Sequence, residues 1–358
     1  MVRDTLRSLS EPPADPFRER RPLRWLEEAQ LLGGQFRFET DSAALRRIVR
    51  HAFRGLPAHR LAGRGPRILV KLLVSSDSGS GSLRQIQDEP PPVRPIAGAA
   101  LLGCAMESAN CVAISVRDRE ALIVVSKDML RFPYHIRYEL LEFAVYTLAA
   151  RVQRLVPLHA ACVGAGGKGL LVLGSSGAGK STLALNCLLQ GLEFVAEDSV
   201  LVAPRRLLAT GLANFLHIRS DSRHLIEGPG RAAAALRTSP TIHRRSGIEK
   251  LEIDLRRPGF ELAARPLPIA ALVIVSAQSA TRGALLRPLS AAVVLEKLTA
   301  SQQYAASQPG WREFCKQVGH LPAFELRRGE DPLDSVDAVR TLLTGPLRRA
   351  STGGRGKR

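Results

Sequence analysis

The chain has 358 residues, of which 45% are hydrophobic and 23% charged, with a formal net charge of +18. This composition excludes a disordered or fibrous chain and leaves room for two domains, while the absence of any run of about 18 apolar residues excludes a membrane-spanning helix. The positive charge is mostly Arg dispersed along the chain, with 5% aromatic residues; it fits a basic surface with an anionic ligand better than a nucleic-acid partner.

Residues 1–30 are polar and rich in Pro and Arg, and are expected to be irregular. They lack the apolar segment of a secretory signal, so a cytoplasmic location is expected. "QFRFET" from Gln35 alternates as a strand does, and Asp41 and Ser42 offer caps for an amphipathic helix over "AALRRIVRHAFRGL". "PRILVKLLVS" from Pro66 is a second strand. Residues 76–96 form a Ser-, Gly- and Pro-rich loop. "AALLGCAME", "CVAISV" and "ALIVVS" follow as strands, the last two flanking a turn at "RDRE". "RYELLEFAVYTLAARVQRL" from Arg137 is a helix with Leu140, Leu141, Ala144, Val145 and Leu148 on one face.

After Pro157 the pattern changes to strand, turn, strand, loop, helix, strand: "LHAACVG", "GGKG", "LLVLG", a glycine-rich loop, "KSTLALNCLLQG" and "EFVAED". This is the pattern of an α/β nucleotide-binding core. Further strands are expected at "SVLVAP", "NFLHIRS", "KLEIDL" and "IAALVIVS", and helices at "AVVLEKLTA" and "DAVRTLLTGPL". The expected organisation is an irregular segment 1–30, an α+β domain 31–154, a nucleotide-binding core 155–345 and a disordered basic tail 346–358. The five cysteines are scattered without a CxxC pair, and the eight histidines lack metal-ligand spacing. Neither a disulfide framework nor a zinc site is expected.

Gly174, Ser175, Ser176, Gly177, Ala178, Gly179, Lys180 and Ser181 match GxxxxGK[ST] between an apolar strand and a helix. Glycines let successive backbone N–H groups curl around an anion, and the helix N-terminus adds its positive end. In this pattern Lys180 reaches the β- and γ-phosphates of a nucleotide and the Ser181 hydroxyl ligates Mg²⁺, with Thr182 beside it. Glu197 and Asp198 end the run "EFVA", where one carboxylate can hold the metal and the other accept a proton from a hydroxyl. His159 stands before "AACVG", a strand expected to pair beside the loop strand. Arg244, Arg245 and Lys250 in "HRRSGIEK" offer a clamp for a transferring phosphate, or only an exposed basic loop.

His159, "GSSGAGKS" from Gly174, Gly191 and "AED" from Ala196 occur in the same order and at the same separations as the histidine, "GxSGxGKS", glycine and "ADD" of bacterial HPr kinase/phosphorylase. Residues 155–280 therefore resemble the catalytic domain of that family, and the whole chain resembles the HPr-kinase-related serine kinases. The resemblance implies an α/β P-loop core like that of phosphoenolpyruvate carboxykinase, joined to an additional α+β N-terminal domain. It implies ATP and Mg²⁺ as cofactors. Lys180 would contact the phosphates, Ser181 and Asp198 the metal, and Glu197 would be the base, with His159 adjusting its charge state. The first carboxylate is Glu where the family has Asp, and Thr182 stands where HPr kinases usually have Glu. "LLATGLANFLHIRSDS" replaces the family's "ExRGLGIxDV", which bears on the second metal contact and on recognition of HPr itself.

These readings converge on an ATP-dependent serine kinase acting on a protein or peptide hydroxyl. A nucleotide-binding regulatory module with reduced catalysis, a kinase of a small hydroxylated molecule and a nucleic-acid-dependent NTPase remain as alternatives. HPr kinases are hexamers, so a homo-oligomer is compatible with the resemblance.

Overall fold

The computed structural model describes residues 23–61, 63–75, 89–98, 101–106, 109–175, 177–219, 234, 237–280 and 284–345. Residues 1–22 of the expected irregular segment, 76–88 of the expected loop, Ser176 and the basic tail lie outside the described residues.

The first half is a seven-stranded sheet in the order β1-β2-β3-β7-β6-β5-β4. Its strands are β1 (Trp25–Leu31), β2 (Gly34–Thr40), β3 (Arg67–Val74), β4 (Arg94–Ala97), β5 (Leu101–Met106), β6 (Asn110–Ser115) and β7 (Glu120–Val125). The parallel β2–β3 pair is joined by helix α1 (Ala43–Phe53), in which Leu45, Ile48, Val49 and Ala52 form the buried stripe. The Ser42 side chain accepts from the Leu45 N–H at its start. Against the same core lies a continuous helical stretch made of α2 (Pro133–His135), a π-helical segment Ile136–Glu142 and α3 (Phe143–Gln153). All five residues expected on its apolar face are buried.

Two boundaries differ from expectation. Residues 25–31 form a strand because Leu32 and Gly33 adopt φ of 51° and 86°, a left-handed pair that closes a two-residue hairpin onto β2. The segment expected to be a loop to residue 96 gives way to β4, paired with β5.

The second half is built on a larger sheet, ordered β11-β9-β10-β17-β13-β12-β8, with β19 parallel to β17 and β18 against β19. Its strands are β8 (Val156–Leu158), β9 (Ala161–Ala165), β10 (Lys168–Leu173), β11 (Glu193–Ala196), β12 (Val200–Ala203), β13 (Leu208–Thr210), β17 (Leu267–Ser279), β18 (Leu286–Pro288) and β19 (Ala323–Arg328). β10 is buried over Gly169–Leu173, as a central strand covered on both faces must be. One face is covered by α4 (Lys180–Leu189) and α8 (Pro332–Thr344), which share a core with a small sheet of β14 (Phe215–Arg219), β15 (Thr241–His243) and β16 (Glu249–Asp254). The other face carries α5 (Ala291–Ser301), α6 (Gln303–Ala306) and α7 (Trp311–Val318).

Candidate functional site

The glycine-rich loop begins where β10 ends. Gly177 and Gly179 take φ of 77° and 106°, conformations that cost little only without a Cβ. They turn the chain so that Gly179 caps α4, and its carbonyl accepts from the Leu183 N–H at 2.9 Å. The first-turn N–H groups of α4 therefore face the mouth of the loop. Lys180 is buried, and its Nζ donates to the carbonyls of Gly174 at 2.9 Å and Ser175 at 3.3 Å. Burial pulls its pKa down, while Asp198 and Glu197 act in the opposite sense. Ser181 and Thr182 are half-buried on the same turn.

Glu197 and Asp198 follow β11 immediately, two strands from β10 in the sheet. Glu197 Oε2 accepts the backbone N–H of His217 on β14 at 3.3 Å. Asp198 Oδ1 lies 2.8 Å from His159 Nδ1. His159 occupies the bend between β8 and β9 rather than opening the second strand, because β9 pairs with β10 only from Ala161 onward. Its backbone is clamped on both sides by the buried Gln302 side chain: His159 N–H donates to Oε1 at 2.8 Å, and Nε2 donates to the His159 carbonyl at 3.1 Å.

The hydrogen bond to Asp198 raises the His159 pKa against the effect of its burial. The same bond, followed by the charges of His159, Arg244 and Lys250, lowers that of Asp198, again against burial. The pair therefore favours imidazolium and carboxylate together. The histidine partners the second carboxylate, not Glu197 as the family resemblance implied.

Among the three basic residues of "HRRSGIEK", the structure separates roles. Arg245 is committed to Glu139, with Nε and Nη2 each 2.7 Å from a carboxylate oxygen, so it is no phosphate clamp. Arg244 stacks on Tyr138 with its guanidinium carbon 4.6 Å from the ring centre. Lys250 feels Glu197 and Asp198, although burial comes first and brings its pKa down.

Two features carried no motif. The first is a buried charged chain behind Glu197. His217 Nε2 lies 2.9 Å from Glu252, Glu252 bonds Arg137 Nη2, Arg137 Nη1 donates to Glu142 at 2.7 Å, and Asn214 Nδ2 donates to Glu142 at 2.8 Å. The second is a groove of about 430 Å³ beside Asp198 and His159, walled by Tyr138, Tyr146 and Thr147 on one side and by Gln302 and Tyr304 on the other. An isolated Arg or Tyr within a helical pattern gives no sign of either; only the spatial approach of residues far apart in sequence creates them.

Among the described residues no group of three or more His, Cys, Asp and Glu converges to cage a metal, and the described cysteines are free thiols. The loop and the strand end instead offer oxygen donors from Ser181, Glu197 and Asp198. That donor set suits Mg²⁺, which typically takes one or two protein oxygens together with substrate phosphates. Among the described residues no helix is long and apolar enough to cross a membrane.

No protein-family model and no curated protein matches the chain. Among solved structures, the HPr(Ser) kinase/phosphatase from Coxiella burnetii matches at a TM-score of 0.26 and 16% identity, over 52% of this chain and 88% of that chain.

Proposed function

We propose that the protein is an ATP- and Mg²⁺-dependent phosphotransferase that phosphorylates a serine hydroxyl of a protein or peptide. The observation that carries this reading is the His159–Asp198 pair, which borders the groove on one side and whose charges act on Lys180 on the other. A hydroxyl presented from the groove meets Asp198, and a phosphate chain on the loop meets Lys180 and the N–H groups of α4.

Asp198 takes the proton as the serine oxygen bonds to the γ-phosphorus and the bond to the departing ADP oxygen breaks. A carboxylate of depressed pKa suffices, because a loose phosphoryl-transfer transition state asks little of the base. Lys180 and the loop amides neutralise charge on the transferring group. Mg²⁺ would be held by Ser181 and Glu197 and would supply charge neutralisation at the phosphates. In this reading the metal contact expected of Asp198 passes to Glu197, since Asp198 borders the groove and already serves His159.

The test is incubation of purified protein with γ-labelled ATP, Mg²⁺ and a lysate of its host, beside Lys180→Ala and Asp198→Asn. The expected result is a labelled protein band that is absent with both variants. ATP binding that depends on Lys180 but gives no labelled acceptor would replace the kinase with a binding module. Label appearing only as free phosphate would replace it with an NTPase.

A further inference from the structure

The groove beside Asp198 is a built feature of both halves of the chain. Its first wall is the helical stretch of the N-terminal half, which enters as a π-helix over Ile136–Glu142 and continues as α3. A π-helical run is rare and tends to occur where a function requires the altered side-chain positions. Here it places Tyr138 and Glu142 on the groove, with Phe143, Tyr146 and Thr147 following. The second wall is β8 with Gln302, Gln303 and Tyr304, and its floor reaches Ser199 and Leu201.

The charge of this groove runs against that of the molecule. The chain carries a formal +18, yet among the described residues no Lys or Arg lines the groove; the charged groups described there are Glu142, Asp198 and His159. Glu142 is spent on Arg137 and Asn214, and His159 on Asp198. The nearest guanidinium, Arg244, is held on the groove wall itself, stacked on Tyr138 and donating to its hydroxyl at 3.1 Å, so among the described lining residues no cation faces an anionic acceptor, and burying an unpaired acid beside two carboxylates is costly. The aromatic surfaces of Phe143, which is 37% exposed, and Tyr304, which is 58% exposed, are open at the rim. The volume lies within the range of about 300–1,000 Å³ that small-ligand sites occupy, enough for the serine and its immediate neighbours.

We propose that this groove is the acceptor subsite, and that it selects a peptide serine flanked by uncharged, apolar or aromatic residues and rejects one flanked by acids. The proposal rests on the kinase reading above. It places the acceptor between the two halves of one chain, with Phe143 and Tyr304 setting specificity and Asp198 meeting the hydroxyl. The basic surface elsewhere takes no part in acceptor choice.

Two blocked hexapeptides serve as probes, one with Leu and Phe around a central Ser and one with Asp at those positions. Binding of each is measured by calorimetry, and label transfer from γ-labelled ATP is measured separately, in the full chain and in Tyr304→Lys and Phe143→Lys. Both positions are exposed, so the fold survives. The expected result is at least a tenfold preference for the neutral peptide in binding and in transfer. Either lysine variant should cut that preference about tenfold by admitting the acidic peptide, with ATP affinity unchanged.

Equal use of the two peptides, or no binding of either, overturns the proposal. So does a preference that ignores both lysines, even if transfer is strong, and in that case the kinase reading stands alone. Neutral-peptide binding that responds to the lysines without any transfer keeps the groove's selectivity and removes the kinase.

Discussion

Arg137 ties the two halves together, and its removal is the sharpest structural test. The side chain is 2% exposed, bonds Glu142 and Glu252, and stacks on Phe215 with its guanidinium carbon 4.0 Å from the ring centre. Arg137→Ala leaves two buried carboxylates that shared one guanidinium with only Asn214 and His217 as side-chain partners among the described residues. Breaking a buried pair by removing one side costs about 3–5 kcal/mol. At 1.4 kcal/mol per tenfold, that lowers the folded-to-unfolded ratio by about two to four powers of ten, a large part of the ~5–15 kcal/mol that holds a typical domain.

Urea unfolding with linear extrapolation reads the cost directly, and its pH dependence has a definite sign. Burial alone raises the Glu252 pKa, but the bonds to His217 and Arg137 bring it below 4.5 in the fold. Its contribution is present above the unfolded-state pKa and is lost as pH falls through the folded value. Without Arg137 the opposing effect of burial regains ground. The variant's deficit should therefore be largest near neutral pH and shrink as pH falls towards the carboxylate range and Glu252 accepts a proton. A loss below about 1 kcal/mol at neutral pH, or one independent of pH, would refute the picture of a desolvated network.

The remaining predictions concern the site. The Asp198 pKa is held below its usual 3.8 and that of His159 above its usual 6.5, so transfer should fall on the acid side only below the ordinary carboxylate range, as Asp198 takes up a proton; Asp198→Asn should bring the His159 titration, followed by NMR of the ring, down past 6.5 as burial prevails. A Cβ at Gly211 would stand 2.5 Å from Ala196 Cβ and 2.7 Å from the Val195 carbonyl, so Gly211→Ala should cost about 1–3 kcal/mol in chemical denaturation and displace the carboxylate turn, lowering transfer. Gln302→Ala removes both bonds to the His159 backbone and should slow transfer while ATP affinity in calorimetry stays the same.

What could be read from the residues was local. The glycine loop before α4, the buried run of β10 and the stripe of α1 are each encoded within a dozen residues. The hairpin at Leu32 and Gly33 escaped notice because Leu is an uncommon occupant of a left-handed turn position. β13, β15 and β18 are only three residues each, too short for a period to show; β13 and β18 pair with strands about 40 or more residues away, and β15 forms a hairpin with β16. The motif brought His159 near the carboxylates; which of the two it meets, Asp198 here, depends on how the β8–β9 bend aims the ring. The groove and the Arg137 chain needed the N-terminal helix to be placed on the core.

That placement argues for one cooperative unit rather than a catalytic core carrying an accessory domain. His59 is buried in the second half, with Nδ1 2.7 Å from Thr210 Oγ1 and Nε2 2.8 Å from the Ala263 carbonyl. Burial lowers its pKa, so it sits there neutral, donating from Nε2 and accepting at Nδ1. Asn214 reaches the Ala52 carbonyl, Arg256 reaches that of His51 at 2.6 Å, and Leu201 and Leu212 belong to the N-terminal core. A chain of residues 155–345 alone would bare these groups, leave Glu252 without Arg137 and lose one wall of the groove. Groups that stay buried without a partner, as Glu252 does, each cost about 1–3 kcal/mol, and Leu201 and Leu212 lose the burial they have against the N-terminal core. The truncated chain should therefore show no cooperative urea transition and no label transfer. A truncated chain that unfolds cooperatively and binds ATP as tightly as the whole would mean that the N-terminal half only covers a core complete in itself.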